Sequence, residues 1–191
     1  RYHHLFSDFL QQIFIMQVGQ KQCNKIRSKA ACWFADKNYL SEAISQCVRA
    51  KNIVLATKLI AEQGGWEIIM TKGIGYAESL LSHFTKQEII QSSTLGLLQC
   101  YFYLKLGKVT LAEEQFKITE LIYDDLMASS ANTNATSRDF LVVKLLVKTY
   151  LDQIMNNQEF QTIDEVIELL AEDDHIAKGV LLALKTLSLN Q

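Results

Sequence analysis

Lys21, Lys25 and Lys29 recur every four residues, with Arg27 beside them. On a helix that step lines ammonium groups along one side, an arrangement that would suit a phosphate backbone. A solvated helix face has the same composition, because Lys is a default surface residue. His3 and His4 are adjacent and would point to different faces of a helix, whereas helical metal-binding histidines stand at i and i+4. His83 and His175 are isolated, and four-ligand spacing is absent from the sequence. The run Glu172-Asp173-Asp174 could hold a cation, or it could be a solvated junction with Asp near the next helix's N-terminus. Gly73-Ile74-Gly75 lacks the third glycine and the flanking strand of a dinucleotide loop, and no G-x-x-x-x-G-K-S/T phosphate loop occurs. No catalytic constellation emerges. The expectation is a segment that is not an enzyme and that carries no metal and no cofactor of its own.

The composition agrees with a binding or scaffolding role. The 191 residues are 49% hydrophobic, enough for a sizeable core, and include no proline. An all-helical array tolerates that absence better than a strand-and-turn protein does. A net charge of −2 argues against a dedicated nucleic-acid binder, so no specific DNA binding is expected. The charge is uneven: residues 1–95 carry 11 basic and 7 acidic groups, residues 96–191 carry 8 and 14. Either the two ends meet different neighbours, or they are two solvated surfaces of opposite sign. Cys23, Cys32, Cys47 and Cys100 form no C-x-x-C pair and sit in apolar helical patterns, which fits a reducing, cytoplasmic setting. Asn134-Ala135-Thr136 matches a glycosylation sequon, but no signal peptide or 18-residue apolar run points to secretion or a membrane. The first residue is Arg1 rather than Met, so a fragment of something longer is expected.

The elements that must position these residues are helices. A six-residue signature recurs as Asn38–Ala43, Lys51–Ala56 and Gly107–Ala112, with a weaker copy at Gln158–Ile163. Each copy begins with a polar or turn-tolerant residue, ends with a small or apolar one, and lies between helical patterns. This is the grammar of stacked helical hairpins, in which each unit buries its apolar face against a neighbour. Apolar steps of three and four predict helices over 2–15, 22–37, 40–50, 52–63, 66–70, 76–83, 86–91, 92–106, 110–128, 138–156, 159–171 and 174–189. Residues 129–137, SSANTNATS, read as a loop. Gly73 and Gly75 read as breaks. Ile26, Ala30, Trp33 and Phe34 are expected on one face of the second helix. Trp33, Phe34, Leu40, Ala43 and Ile44 are expected to be buried at one hairpin interface. Helix 92–106, apolar on two sides, should be sandwiched between neighbours.

In order, RYHHLFSDFL, the Trp33-Phe34 pair, Leu40-x-Glu42-Ala43-Ile44, Gly65-Trp66 and Gly107-x-x-x-x-Ala112 resemble the central region of the LuxR-type, MalT-like transcriptional regulators. The likeness covers about residues 1–126, and Lys37-Asn38 departs from the glycine turn common in that family. The resemblance implies that residues 1–20 end a winged-helix segment and that residues 21–191 form tetratricopeptide-like antiparallel hairpins stacked into a superhelical array. It implies an all-α, bacterial sensor and interaction segment for signal transduction. Such a segment relays an inducer or a regulatory protein's signal between an ATPase core and a DNA-binding module of the same regulator. A plain tetratricopeptide-type protein-binding adaptor is the alternative.

In stacked hairpins the first helix of each pair tends to line the concave surface. Helices 92–106 and 138–156 are the candidates, and their positions outside the apolar stripes are free to meet a ligand. These include Gln99 and Tyr103 on the first and Lys144 and Lys148 on the second, each pair four residues apart. An amide, an aromatic ring and two ammonium groups would suit a polar, anionic or sugar-like effector. Ordinary surface residues would look the same.

Overall fold

The computed structural model describes residues 2–128, 134–151, 157–170 and 174–189. The described residues contain helices and no strand. In chain order the helices are α1 (Tyr2–Val18), α2 (Gln20–Asp36), α3 (Leu40–Arg49), α4 (Ile53–Glu62), α5 (Ile68–Lys72) and α6 (Ile74–Leu81). Then come α7 (Lys86–Ile90), α8 (Ser93–Lys105), α9 (Val109–Ala128), α10 (Asn134–Tyr150), α11 (Asn157–Leu169) and α12 (His175–Leu189), with a 3-10 turn at Gly65–Glu67 ahead of α5. The chain divides into two compact units, Arg1–Glu62 and Gln63–Gln191. Residues 129–133 of the expected loop, and Glu172 and Asp173, lie outside the described residues. So do the side chains of His3, His4, Leu126, Asn134, Ala135, Thr136, Gln158, Glu159, Phe160 and Thr162.

The recurring signature has a single physical cause. Asn38, Lys51 and Gly107 all have left-handed backbones, with φ of 62°, 54° and 70°. Behind each, the next residue's N–H reaches the carbonyl five residues back: Tyr39 to Phe34, Asn52 to Cys47 and Lys108 to Tyr103, each at 2.9 Å. The left-handed residue's own N–H reaches three back, to Ala35, Val48 and Leu104. These paired bonds are the Schellman ending of a helix, and they satisfy carbonyls the last turn would leave open. The residue after the left-handed one directly precedes the next helix, so only three residues separate the helices of each pair. The closing alanines Ala43, Ala56 and Ala112 are all fully buried. The weaker fourth copy is no turn, since residues 158–163 lie inside α11.

In the first unit α2 packs on α3, α3 on α4 and α1 on α2. The core is Cys23, Ala31, Leu40, Ala43, Ile44, Cys47, Ala56 and Ile60. This corrects the expected face of α2. Trp33 is 56% exposed and Ile26 is exposed as well, while Phe34 is half-buried. The buried line of α2 runs through the small side chains of Cys23 and Ala31, on a helix that packs closely on α3. Size and apolarity alone pointed to the wrong side. On α1, Leu5, Phe6, Phe9 and Leu10 are exposed.

In the second unit α8 is the hub. It packs against the 3-10 turn, α5, α6, α7, α9 and α10. Leu95, Leu97, Leu98, Cys100, Tyr101, Phe102 and Leu104 are all buried, as the two apolar stripes predict for a sandwiched helix. Leu106, at its end, is exposed instead. Its seam with α9 is built from small groups: Gly96 faces Thr119, and the Cys100 thiol lies 3.3 Å from the Ala112 carbonyl. Two boundaries differ from expectation. Gly75 sits inside α6 rather than breaking it, and α10 begins at Asn134 within the expected loop and ends at Tyr150. Leu111 and Tyr150 are exposed.

Candidate functional site

A cavity of about 480 Å³ opens in the second unit between α5, α8, α10 and α12. Its floor begins with Tyr101 of α8, which is almost fully buried. The Tyr101 hydroxyl donates to Met70 Sδ at 2.8 Å, and its ring meets that of Trp66 edge to face at 5.2 Å. Trp66, buried in the 3-10 turn, donates from Nε1 to Asp139 Oδ1 at 3.3 Å. The tyrosine is thereby held from both ends. Lys105, one turn further along α8, places Nζ 5.2 Å from the Tyr101 ring centre. Leu146, Thr149 and Tyr150 of α10 form one wall, and Val180, Ala183 and Leu184 of α12 another. Met70 and Tyr150 are exposed at the mouth.

Burial pushes the Tyr101 phenol above its ordinary range, against the pull of Lys105. The hydroxyl is therefore a neutral group at physiological pH. Hydrogen bonding with Tyr101 holds the Lys105 ammonium above its usual value. The cavity thus combines largely apolar walls with a cation and neutral hydroxyls. Its volume falls within the range of small-molecule pockets, roughly 300–1,000 Å³.

An ion cluster behind Trp66 fixes that end of the site. Arg138 of α10 bonds Asp139 from Nε at 2.9 Å and Asp174 from Nη1 at 2.6 Å, and its Nη2 lies 3.7 Å from Glu67 Oε1. Three carboxylates share one guanidinium. Glu67 Oε1 is buried and has no hydrogen-bond partner. Desolvation raises the pKa of both Glu67 and Asp139 despite the opposing field of Arg138. The cluster ties the 3-10 turn to α10 and to the residue before α12.

The four residues singled out from sequence are all half-buried. Lys144 Nζ bonds Glu120 Oε1 of α9 at 3.0 Å and lies 5.8 Å from the Phe140 ring centre. The Tyr103 ring lies 6.0 Å from that of Phe102. None of Gln99, Tyr103, Lys144 and Lys148 lines the cavity. Helix geometry gives the reason: residues two apart point about 200° apart. Tyr101 stands two positions from both Gln99 and Tyr103, and Leu146 two positions from both Lys144 and Lys148. The cavity therefore uses the opposite face of both helices. Tyr101, Lys105 and Thr149 carry no signal of a site in the sequence: Tyr101 belongs to an apolar stripe of its helix, and Lys105 and Thr149 are single polar positions. Elsewhere in this unit burial pushes the Cys100 thiol up to about 12, and in the first unit burial, with Cys32 nearby, pushes the Cys47 thiol up to about 11. Compared with models of known protein families, with curated proteins and with solved structures, the chain matches none.

Proposed function

We propose that this chain is a non-enzymatic sensor and interaction segment of a LuxR-type, MalT-like transcriptional regulator, and that the α5–α8–α10–α12 cavity is where its signal molecule docks. The observation that carries the reading is the cavity itself, apolar on its walls and holding one lysine over a fixed tyrosine. Such a space suits an apolar molecule bearing one anionic group. The three-residue hairpin turns support a tetratricopeptide-like array, and the ordered motifs of residues 1–126 support the regulator family. In that setting ligand binding shifts the population towards a state the rest of the regulator can use.

Trp66 reports on the site because it touches Tyr101. In a Trp33→Phe background, octanoate and octanol are titrated while Trp66 emission is followed. Octanoate should give a saturable change at concentrations where octanol gives little. Lys105→Met should remove that preference. No saturable response to either probe would overturn the assignment of the cavity. The adaptor reading would draw on the same open mouth, with Met70 and Tyr150 receiving one apolar side chain of a partner peptide.

A further inference from the structure

The first compact unit carries a second cavity of different character. Residues 1–62 hold nine Lys and Arg against four Asp and Glu, and residues 20–32 contain no acidic residue. A groove of about 700 Å³ runs along α2 and under the turn after α3. Lys21, Lys25 and Lys29 line it from the helix, and Lys51 lines it from the turn. All four are exposed, and among the described residues none of them has an ion-pair partner. Asn24, Ser28 and Asn52 supply neutral donors between them.

The groove is built rather than incidental. Arg27 donates from Nη1 to the Arg49 carbonyl at 3.0 Å and from Nη2 to Gln11 Oε1 at 3.4 Å. Asn52 donates to Ser28 Oγ at 3.3 Å, while its own Oδ1 caps α4 by accepting from the Leu55 N–H. The turn is thus fastened to α2, and Lys51 is held opposite the lysine stripe. Along α2 the lysines are spaced by four residues, about 6 Å per step. That step is comparable to the one between phosphates of an extended strand. One turn beyond Lys29 stands Trp33, exposed and backed edge to face by Phe34 at 5.2 Å. An exposed indole ending a lysine stripe is how proteins hold single strands without reading sequence: ammonium groups on the backbone and a base stacked on the ring.

We propose that this groove binds single-stranded nucleic acid, with phosphates on Lys21, Lys25, Lys29 and Lys51 and a base on Trp33. The binding is electrostatic and indifferent to sequence. It does not depend on the sensor assignment, since it uses a different unit of the chain.

The test is fluorescence anisotropy of the full chain with labelled dT12 over a range of salt, with inorganic polyphosphate and poly-glutamate as competitors. Four phosphate contacts predict a log–log salt slope of about −3, from roughly −0.7 per contact on a single strand. Lys25→Gln/Lys29→Gln should halve that slope and weaken binding at low salt at least tenfold. Lys58→Gln/Lys86→Gln, which removes the same charge elsewhere, should leave both nearly unchanged. In a Trp66→Phe background dT12 should quench Trp33 emission, and polyphosphate should compete without quenching. Equal effects of the two double variants would overturn the site. Poly-glutamate competing as well as polyphosphate would mean an acidic-peptide groove. Binding of dT12 without quenching would remove the strand-stacking role.

Discussion

At Gly96 a single missing carbon sets how closely α8 and α9 approach. A Cβ there would overlap Thr119 Oγ1 and press on Thr119 Cβ and Cγ2. The threonine cannot turn away, because its hydroxyl donates to the Gln115 carbonyl at 2.9 Å and all three of its outer atoms crowd the site. Alanine in place of a helical glycine gains roughly 0.5–1 kcal/mol of backbone entropy. Overpacking costs about 1–3 kcal/mol. The clash wins, so Gly96→Ala should lower the urea midpoint, and it should cost less in a Thr119→Ala background, which removes both Oγ1 and Cγ2. Glu67 gives a prediction of the opposite sign. Its pKa is raised in the folded state, so its contribution to stability is present below the ordinary value of 4.5 and is lost as pH rises through the folded value. Glu67→Gln removes a buried carboxylate that competes with Asp139 and Asp174 for Arg138. The variant should unfold at higher temperature than the parent at neutral pH, by on the order of 1 kcal/mol. The difference should shrink to nothing below about pH 4.5. A gap independent of pH would show that ionisation of Glu67 is not the cause.

At the scale of the element, the turns are where local chemistry is most exposed to test. Lys51 sits at φ 54°, a conformation costing a side-chain-bearing residue about 1–2 kcal/mol. Glycine would escape that penalty and lose roughly 0.5–1 kcal/mol to its freer unfolded state. Lys51→Gly should therefore raise the thermal midpoint slightly, while Gly107→Ala, at φ 70°, should lower it. Calorimetry of the two variants checks both signs. In the nucleic-acid assay Lys51→Gly should also weaken dT12 binding, setting stability against function at one residue. These turns are legible in the sequence, since a left-handed residue followed by a helix start leaves a mark of fixed length. The faces of α2 were not. Trp33 and Ile26 looked like core, but inward sides are decided by which helices come close, and small residues allow that. The cavity was equally hidden. Met70, Tyr101, Tyr150 and Leu184 meet only through tertiary packing, and leftover polar positions such as Gln99 and Lys144 pointed to the opposite faces.

Across the whole molecule the helical class followed from periodicity, and the uneven charge from a count of residues. The division at 62/63 falls beside Gly64-Gly65, whose φ values of 102° and 55° are left-handed. The Arg138 cluster had no local signal, because Glu67, Asp139 and Asp174 gather around it from three separate stretches of chain. The hairpin turns also carry a kinetic consequence. Each is closed by bonds spanning at most five residues, so pairing α2 with α3, α3 with α4 and α8 with α9 requires almost no loop closure. Contacts made that locally favour fast folding. The chain has no proline anywhere, so it has no prolyl bond whose isomerisation could hold unfolded molecules back for tens of seconds. In double-jump refolding from urea, the yield of fast-folding molecules should not depend on how long the chain has been left unfolded, and a prolyl isomerase should accelerate nothing.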